Sequence, residues 1–278
     1  MKIRMVPLIW ILLCAGSPTC TAQDAAAIMQ KMIAAYQRLS SYDGNANVDV
    51  LLTYKQNLLQ SQYTTNHMQF KRPNNLALTI LNNGLTGTRA IYSDGTNLTV
   101  YDALPNHYTV NPTAPDVIKM LPLLGKFARV TANLDPLYFL SFDKLPPSVT
   151  NLKTAGSKIV NGHDCLLVTG TVPGNQSPVT SGKADINGKT TMHWTWYIDK
   201  QTFLLNKIEA RSNEVTVPVN VRQKLKLVKM TIPVVLQMRH TITSYTADAA
   251  LDHSVFVFKA PPGATEKKTV SQMLKDAH

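Results

Sequence analysis

Seven histidines, three cysteines and a close pair of tryptophans are the residues of this 278-residue chain best suited to chemistry. The histidines are His67, His107, His163, His193, His240, His253 and His278. None stands in the H-E-x-x-H spacing that sets two zinc ligands on one helix face. No G-x-S-x-G turn presents a nucleophilic serine, and no glycine-rich loop is built to cradle phosphate. His163-Asp164-Cys165 has the residue types of a thiol site, but Asn161-Gly162 before it marks a hairpin turn. In Met192-His193-Trp194-Thr195-Trp196, alternation puts His193 on the polar face of a strand. Trp194 and Trp196 share the opposite face, where a core or a cavity wall is their expected place. The chain is therefore read as a non-enzyme that needs no metal and no cofactor.

Charge and composition narrow the remaining classes. Lys and Arg number 28 against 17 Asp and Glu, a formal net charge of +11. The cations are scattered and not interleaved with exposed aromatics, which argues against nucleic acid. Their densest run is Arg222, Lys224, Lys226 and Lys229, either a solvated strand face or a contact for anionic lipid head groups. Apolar residues make up 44%, enough for a core and too many for a disordered chain. Residues 1–22 read as an export signal: Lys2 and Arg4, an apolar run from Met5 to Ala15, and small residues at Cys20 and Ala22. The run is shorter than the roughly 20 residues of a spanning helix. Cleavage is expected after Ala22; lipidation of Cys20 is the competing outcome, with Ser17-Pro18-Thr19 a poor context for it. Cys165 then remains as the only thiol, expected to be a buried small hydrophobe.

The elements that would position these residues follow from periodicity. Asp24 to Leu39 reads as one amphipathic helix, capped by Asp24, with Ile28, Met32, Ala35, Tyr36 and Leu39 on one face. From Gly44 the period becomes two: Ala46, Val48, Val50, Leu52 and Tyr54 alternate with mostly polar neighbours. Further alternating runs lie at 63–71, 76–80, 89–93, 97–101 and 107–111, with Asp94-Gly95 as a hairpin turn. Residues 114–127 and 135–140 look like short helices interrupting the strands. Strands resume at 157–160, 165–172, 191–198, 204–211, 215–221, at least two within 225–244, and 255–258. Residues 174–189 read as a loop and 269–277 as a short helix. About eleven strands against two or three helices imply a curved antiparallel sheet with helices over its hollow. Composition leaves open whether those helices fill the hollow or leave an apolar pocket.

Several of these segments carry a resemblance. Phe70-Lys71-Arg72-Pro73-Asn74, then Tyr92-Ser93-Asp94-Gly95, then Leu98-Thr99-Val100-Tyr101 resembles the K-R-P-N … S-D-G … L-W-x-Y pattern of LolA-like periplasmic outer-membrane lipoprotein carriers. Trp196 to Leu204 resembles their W-x-x-D-x-x-T-x-L hairpin. Phe256-Val257-Phe258 before Pro261-Pro262-Gly263-Ala264 resembles their F-x-F-x-P-P-x-G-A ending. The likeness spans nearly all of residues 23–278, read as one domain. The chain is longer than a typical carrier at 174–189 and 222–238, and is similar to a branch of predicted periplasmic proteins.

The resemblance implies a mainly β (α+β) fold: an unclosed antiparallel β-barrel of about eleven strands with a helical lid. It implies a periplasmic protein that holds acyl chains of a lipid or lipoprotein in an apolar cavity. The alternative is an envelope sensor or protein-interaction module of the same fold, without transport. The expected cavity lining is Val48, Val50, Leu52, Met68, Phe70, Leu78, Ile80, Trp194 and Trp196. The expected lid residues are Ile28, Met32, Leu121 and Leu124. Expected partners are an acyl lipid or lipoprotein and a transient membrane or envelope-protein contact, with no nucleic acid and a monomeric state. Arg72 and Pro73 are assigned to turn geometry.

Overall fold

The computed structural model describes residues 24–82, 87–117, 119–120, 148–173, 190–223 and 226–268. One helix, α1 (Ala25–Arg38), precedes thirteen strands. These are β1 (Ser41–Tyr54), β2 (Asn57–Lys71), β3 (Asn75–Asn82), β4 (Thr88–Asp94), β5 (Asn97–Asp102), β6 (His107–Pro112), β7 (Thr150–Val160), β8 (His163–Pro173), β9 (Thr191–Asp199), β10 (Leu205–Ser212), β11 (Val215–Gln223), β12 (Lys226–Ala247) and β13 (Thr265–Glu266). They form one sheet in the order β13-β6-β5-β4-β3-β2-β1-β12-β10-β9-β8-β7, with β11 paired to β12. Every pairing is antiparallel except β13 with β6. The sheet is open, ending at β13 and β7. A mainly β, antiparallel, unclosed architecture was expected, but the strand count is thirteen rather than about eleven.

Alternation decides which face is buried. Tyr42, Gly44, Ala46 and Val48 of β1 are buried, while Asp43, Asn45 and Asn47 between them are partly exposed. The register continues this inner face across the sheet. Tyr42 and Gly44 oppose Phe70 and Met68 of β2, which oppose Leu76 and Leu78 of β3. On the other side, Val48 opposes His240 of β12, His240 opposes Ile208 of β10, and Ile208 opposes Trp196 of β9. The long β1–β2 hairpin runs beyond this core, and residues Asn57 to Tyr63 are exposed.

Helix α1 lies on the inner face. Asp24 caps it, its carboxylate accepting from the Ala26 N–H at 3.0 Å. Ile28, Met29, Met32, Ile33 and Tyr36 are at most 1% exposed. Their three-to-four spacing is the stripe that one helix can bury. The Tyr36 hydroxyl accepts from Leu205 N at 3.2 Å, tying the helix to β10. Its far end is held by Arg72, which follows β2. The guanidinium donates from Nε to Leu39 O at 2.8 Å and from Nη2 to Gln37 O at 3.2 Å. A cation there satisfies orphan carbonyls and complements the negative end of the helix dipole. Just beyond, the Asp248 carboxylate accepts from both the backbone N–H and the hydroxyl of Ser40, each at 2.8 Å. Those bonds hold the Asp248 carboxyl below the ordinary carboxylate range.

Three expectations need correction or qualification. The two or more strands expected within 225–244 are the single 22-residue strand β12. Pro218 and Pro233 suit an edge or a bulge, and Pro233 pairs with Thr216 of β11 where β12 has passed the end of β1 pairing at Thr53 and Val235. With β11 as its only described neighbour there, one side of the strand needs no N–H. Residues 255–258 do not form a strand. A 3-10 turn, His253–Phe256, is capped by the Asp252 carboxylate accepting from Ser254 N at 2.8 Å. Phe256 is buried against β3 and β4, and Phe258 sits among Tyr92, Tyr101 and Tyr108 at centroid distances of 5.2–5.7 Å. Two aromatic rings cover the outside of the sheet more effectively from an irregular segment than from another edge strand. As for the helical lid, the described residues contain α1 and the helical residues Val117, Lys119 and Met120. The expected helices at 135–140 and 269–277, and the 174–189 loop, lie outside the described residues.

Arg72→Ala is expected to destabilise the protein by about 2 kcal/mol, because hydrogen bonds from a charged donor are lost at a half-buried helix end. Urea unfolding measures it, and Arg72→Lys is expected to recover only part of the loss.

Candidate functional site

The inner face and α1 together form the candidate site. Val48, Met68, Phe70, Leu78, Ile80, Trp194 and Trp196 all fall in one buried cluster with Ile28 and Met32. Val50 packs against that cluster. Leu52 is half-buried further along β1, toward the hairpin tip, opposite Gln60. Seven of the nine residues expected to line a cavity thus lie in one buried cluster with two of the four expected lid residues. Leu121 and Leu124 lie outside the described residues. Several members of the cluster were not singled out from the sequence: Met29, Ile33, Met192, Ile208, Met238 and Ile242. Their alternation or helical spacing was available, but the long run around β12 obscured its register.

Beneath α1 the described side chains meet closely. Tyr42 stacks between Phe70 and Tyr245, with centroids 5.8 and 6.2 Å away. A gap of about 10 Å³ bounded by Tyr42, Ala46, Met68 and Ile242 has room for about one water. The two indoles of Trp194 and Trp196 stack at 5.8 Å with 14° between their planes. Gly170 faces them from β8, and a Cβ there would come within 3.2 Å of the Trp196 ring. A side chain there would require its neighbours to shift by a few tenths of an ångström.

The opposite face is chemically different. A groove of about 360 Å³ is lined by Asp49, His193, Glu209, Arg211, Gln237 and Arg239 among others. Its charges answer one another. Glu209 lies 2.6 Å from Lys207 and 3.5 Å from Arg239, which is 3.9 Å from Asp49. The Tyr197 hydroxyl donates to Glu209 at 2.7 Å. Its pKa is pushed up to about 12, by burial first and then by the Glu209 carboxylate. This is a solvated strand face with internally paired charge, and His193 sits on its polar side as expected.

The His163–Cys165 region is built for structure. His163 Nδ1 donates to Asp199 Oδ2 at 2.8 Å. Asp199 Oδ1 accepts from the backbone N–H groups of Gln201 and Thr202 at 2.8 and 2.7 Å. Burial acts to raise the Asp199 pKa, but these hydrogen bonds outweigh it and hold the carboxyl below its usual value. Cys165 is fully buried, its Sγ accepting from Asn206 at 3.4 Å, and burial raises its pKa. A thiol held protonated away from solvent is a poor nucleophile. Among the described residues no group of three or more His, Cys, Asp or Glu side chains is placed to hold a metal ion.

The motifs behind the resemblance have the same character. Asn74 Nδ2 donates to Gly95 O at 3.0 Å and to Ala114 O at 3.1 Å. The Ser93 hydroxyl donates to Asn74 O at 2.6 Å. Asp94 Oδ1 accepts from Thr96 and Asn97 N–H at 2.8 and 2.7 Å. Arg72, Asn74, Ser93 and Asp94 therefore form a bracket that joins the end of α1 to the β4–β5 turn and to the chain after β6.

An open, mainly β sheet with a helix over its apolar inner face is the class of protein that fold and site define. A family model described as "Predicted periplasmic protein (DUF2092)" matches residues 25–172, and the chain belongs to that family. No curated protein matches it. Among solved structures it is similar to the Mycobacterium tuberculosis lipoprotein LppX, at 17% identity over 82% of this chain and 98% of that one, with a TM-score of 0.42. It is also similar to Pseudomonas aeruginosa MucB in its complex with MucA, at 13% identity over 85% and 61% of the two chains, TM-score 0.41. A LolA superfamily protein from Nitrosomonas europaea matches at 11% identity over 85% and 99%, TM-score 0.29. No helix among the described residues is long and apolar enough to cross a membrane.

Two outcomes are expected here. A carboxylate with a depressed folded pKa stabilises above its unfolded value, about 3.9, and that contribution is lost as pH falls through the folded value. Thermal unfolding should therefore show a steep loss of stability below about pH 4. Asp199→Asn should be less stable at neutral pH and show a shallower acid slope. Alkylation of Cys165 in the native protein should be slow at neutral pH and should rise with the unfolded fraction in urea.

Proposed function

We propose that this protein is a periplasmic carrier that holds acyl chains of a lipid or lipoprotein against the inner face of its sheet, under α1. Export through a signal peptide cleaved after Ala22 belongs to the same reading, as does a non-enzymatic role. The observation that carries it is the make-up of the buried cluster. Six of the chain's ten methionines, Met29, Met32, Met68, Met120, Met192 and Met238, converge there. Methionine is unbranched and polarisable, and surfaces rich in it repack around apolar guests of varied shape. A helix bearing two of them covers the sheet, so α1 is the element that moves aside when a chain enters. Each methylene transferred from water then contributes about 0.8 kcal/mol, which for an ordinary acyl chain exceeds the cost of shifting one helix's contacts.

The half-buried residues Val50, Leu52 and Leu236 support an entry side near the β1–β2 hairpin tip. There the inner face passes from fully buried to partly exposed without becoming charged.

The test is mass spectrometry of protein purified from the periplasm under native conditions. Acyl lipid at close to one equivalent, absent after denaturation and refolding, is the expected result. Protein free of lipid that also takes up none from vesicles would refute the reading. Transfer to acceptor vesicles separates a carrier from a sensor that keeps its ligand.

A further inference from the structure

We infer that the Trp194–Trp196 pair is a recognition site for the ester carbonyls of an acylated ligand. This rests on the carrier reading and adds what part of the ligand is read. Trp194 and Trp196 are 5% and 3% exposed. Neither Nε1–H has a hydrogen-bond partner among the described residues. Buried indole N–H groups ordinarily find an acceptor, and leaving one without forfeits its hydration uncompensated. Two such donors lie on neighbouring positions of one strand face, with rings 5.8 Å apart and nearly parallel. A pair of unmet donors on the surface proposed to bind ligand is what an acceptor-bearing ligand would complete.

The surroundings set the chemistry of that acceptor. An indole N–H donates only, so the ligand must accept. The flanking positions are Ala210 and Gly170 beside Trp194, and Ile208 and Val168 beside Trp196, with Met192 next along the strand. These are apolar, and a charged group moved among them would lose its hydration without a counter-ion. The buried carboxylates among the described residues are already engaged, Asp102 by Arg89 at 2.9 Å and Asp199 by His163 and backbone N–H groups. A neutral carbonyl on an otherwise apolar molecule fits. Acyl esters of a diacylglycerol-based lipid, or of the diacylglyceryl group on a lipoprotein, supply two such carbonyls, in ester groups attached to adjacent glycerol carbons.

The experiment compares two phospholipids with identical chains and head group, one ester-linked and one ether-linked, titrated into lipid-free full-length protein. The ester lipid is expected to bind about three- to tenfold more tightly, the value of one or two net hydrogen bonds. With protein labelled with nitrogen-15 at tryptophan, the indole N–H proton signals of Trp194 and Trp196 should move downfield with the ester lipid and much less with the ether. Trp194→Phe and Trp196→Phe keep the aromatic surface and assign the two signals. Each should reduce the ester-over-ether affinity ratio relative to wild type. A diacylated lipopeptide in the same titration tells lipoprotein from free lipid as the source of the ester. Equal binding of ester and ether lipids, or unmoved indole signals, would overturn this inference alone. Binding of neither would remove the carrier reading and this site with it. The wild-type comparison stands even if a variant fails to fold.

Discussion

Thirteen strands joined in one twisted sheet present an apolar inner face that water must not reach, and most of the remaining structure answers that demand. The face runs from Leu76 and Leu78 through Val48, Ile208 and Trp196 to Val168, and among the described residues α1 is the one long helix that covers it. Helix α1 contributes five side chains exposed by at most 1%, and Val117 and Met120 add to the cover. Because a single helix does so much, its placement must be secure. Arg72 at its last carbonyls, Asp248 at the turn into β1 and the Tyr36 hydroxyl on Leu205 N supply that security from three different strands. All three anchors lie at or near the C-terminal half of the helix. Toward the N-terminus, the Lys31 ammonium over the Phe203 ring at 5.1 Å is a weaker, solvent-facing tie.

That asymmetry matters for how a guest could enter. A helix pinned at one end by charged and backbone hydrogen bonds, and held along its length by apolar contacts, pivots more readily than it detaches. Apolar contacts are non-directional, so an acyl chain can replace them nearly one for one. The anchors cannot be replaced by hydrocarbon. The division between directional bonds at the hinge and exchangeable contacts along the lever is the physical basis for regarding α1 as the moving part.

Much of this was legible from residue patterns, and the failures have physical causes. The three-to-four spacing of Ile28, Met32 and Tyr36 and the alternation of Ala46, Val48 and Val50 point to the right face, because burial of one side of an element is a local property of its sequence. β12 was harder. Its prolines point to an edge or a bulge, and the end of β1 beside Val235 is what lets Pro233 sit within one continuous strand. Residues 253–258 mislead in the opposite sense: Val255-Phe256-Val257-Phe258 has strand composition, but the Asp252 cap and the tyrosines of β4, β5 and β6 claim it for a turn. The two-residue β13 has no periodicity to read. Trp194 and Trp196 were placed on the correct face, while the state of their N–H groups depends on what lies opposite in space and leaves no trace in spacing.

The residues that mark the resemblance and the residues of the proposed binding face are different sets. Arg72, Asn74, Ser93 and Asp94 bracket turns, and Asp199 and Thr202 close the β9–β10 connection. Such residues recur because a turn tolerates few alternatives at a capping or hydrogen-bonding position. The inner face is under a looser constraint: any side chains of suitable volume and apolarity maintain the fold. The bracket therefore identifies the scaffold without identifying the cargo. What distinguishes this member must be sought among residues whose chemistry exceeds what packing requires. A core made only for stability would favour Leu and Ile over six methionines, and would pair its two buried indole donors, which meet no acceptor among the described residues. The departures from ordinary core design fall on the face that α1 covers, which is the surface the carrier reading assigns to the acyl chain.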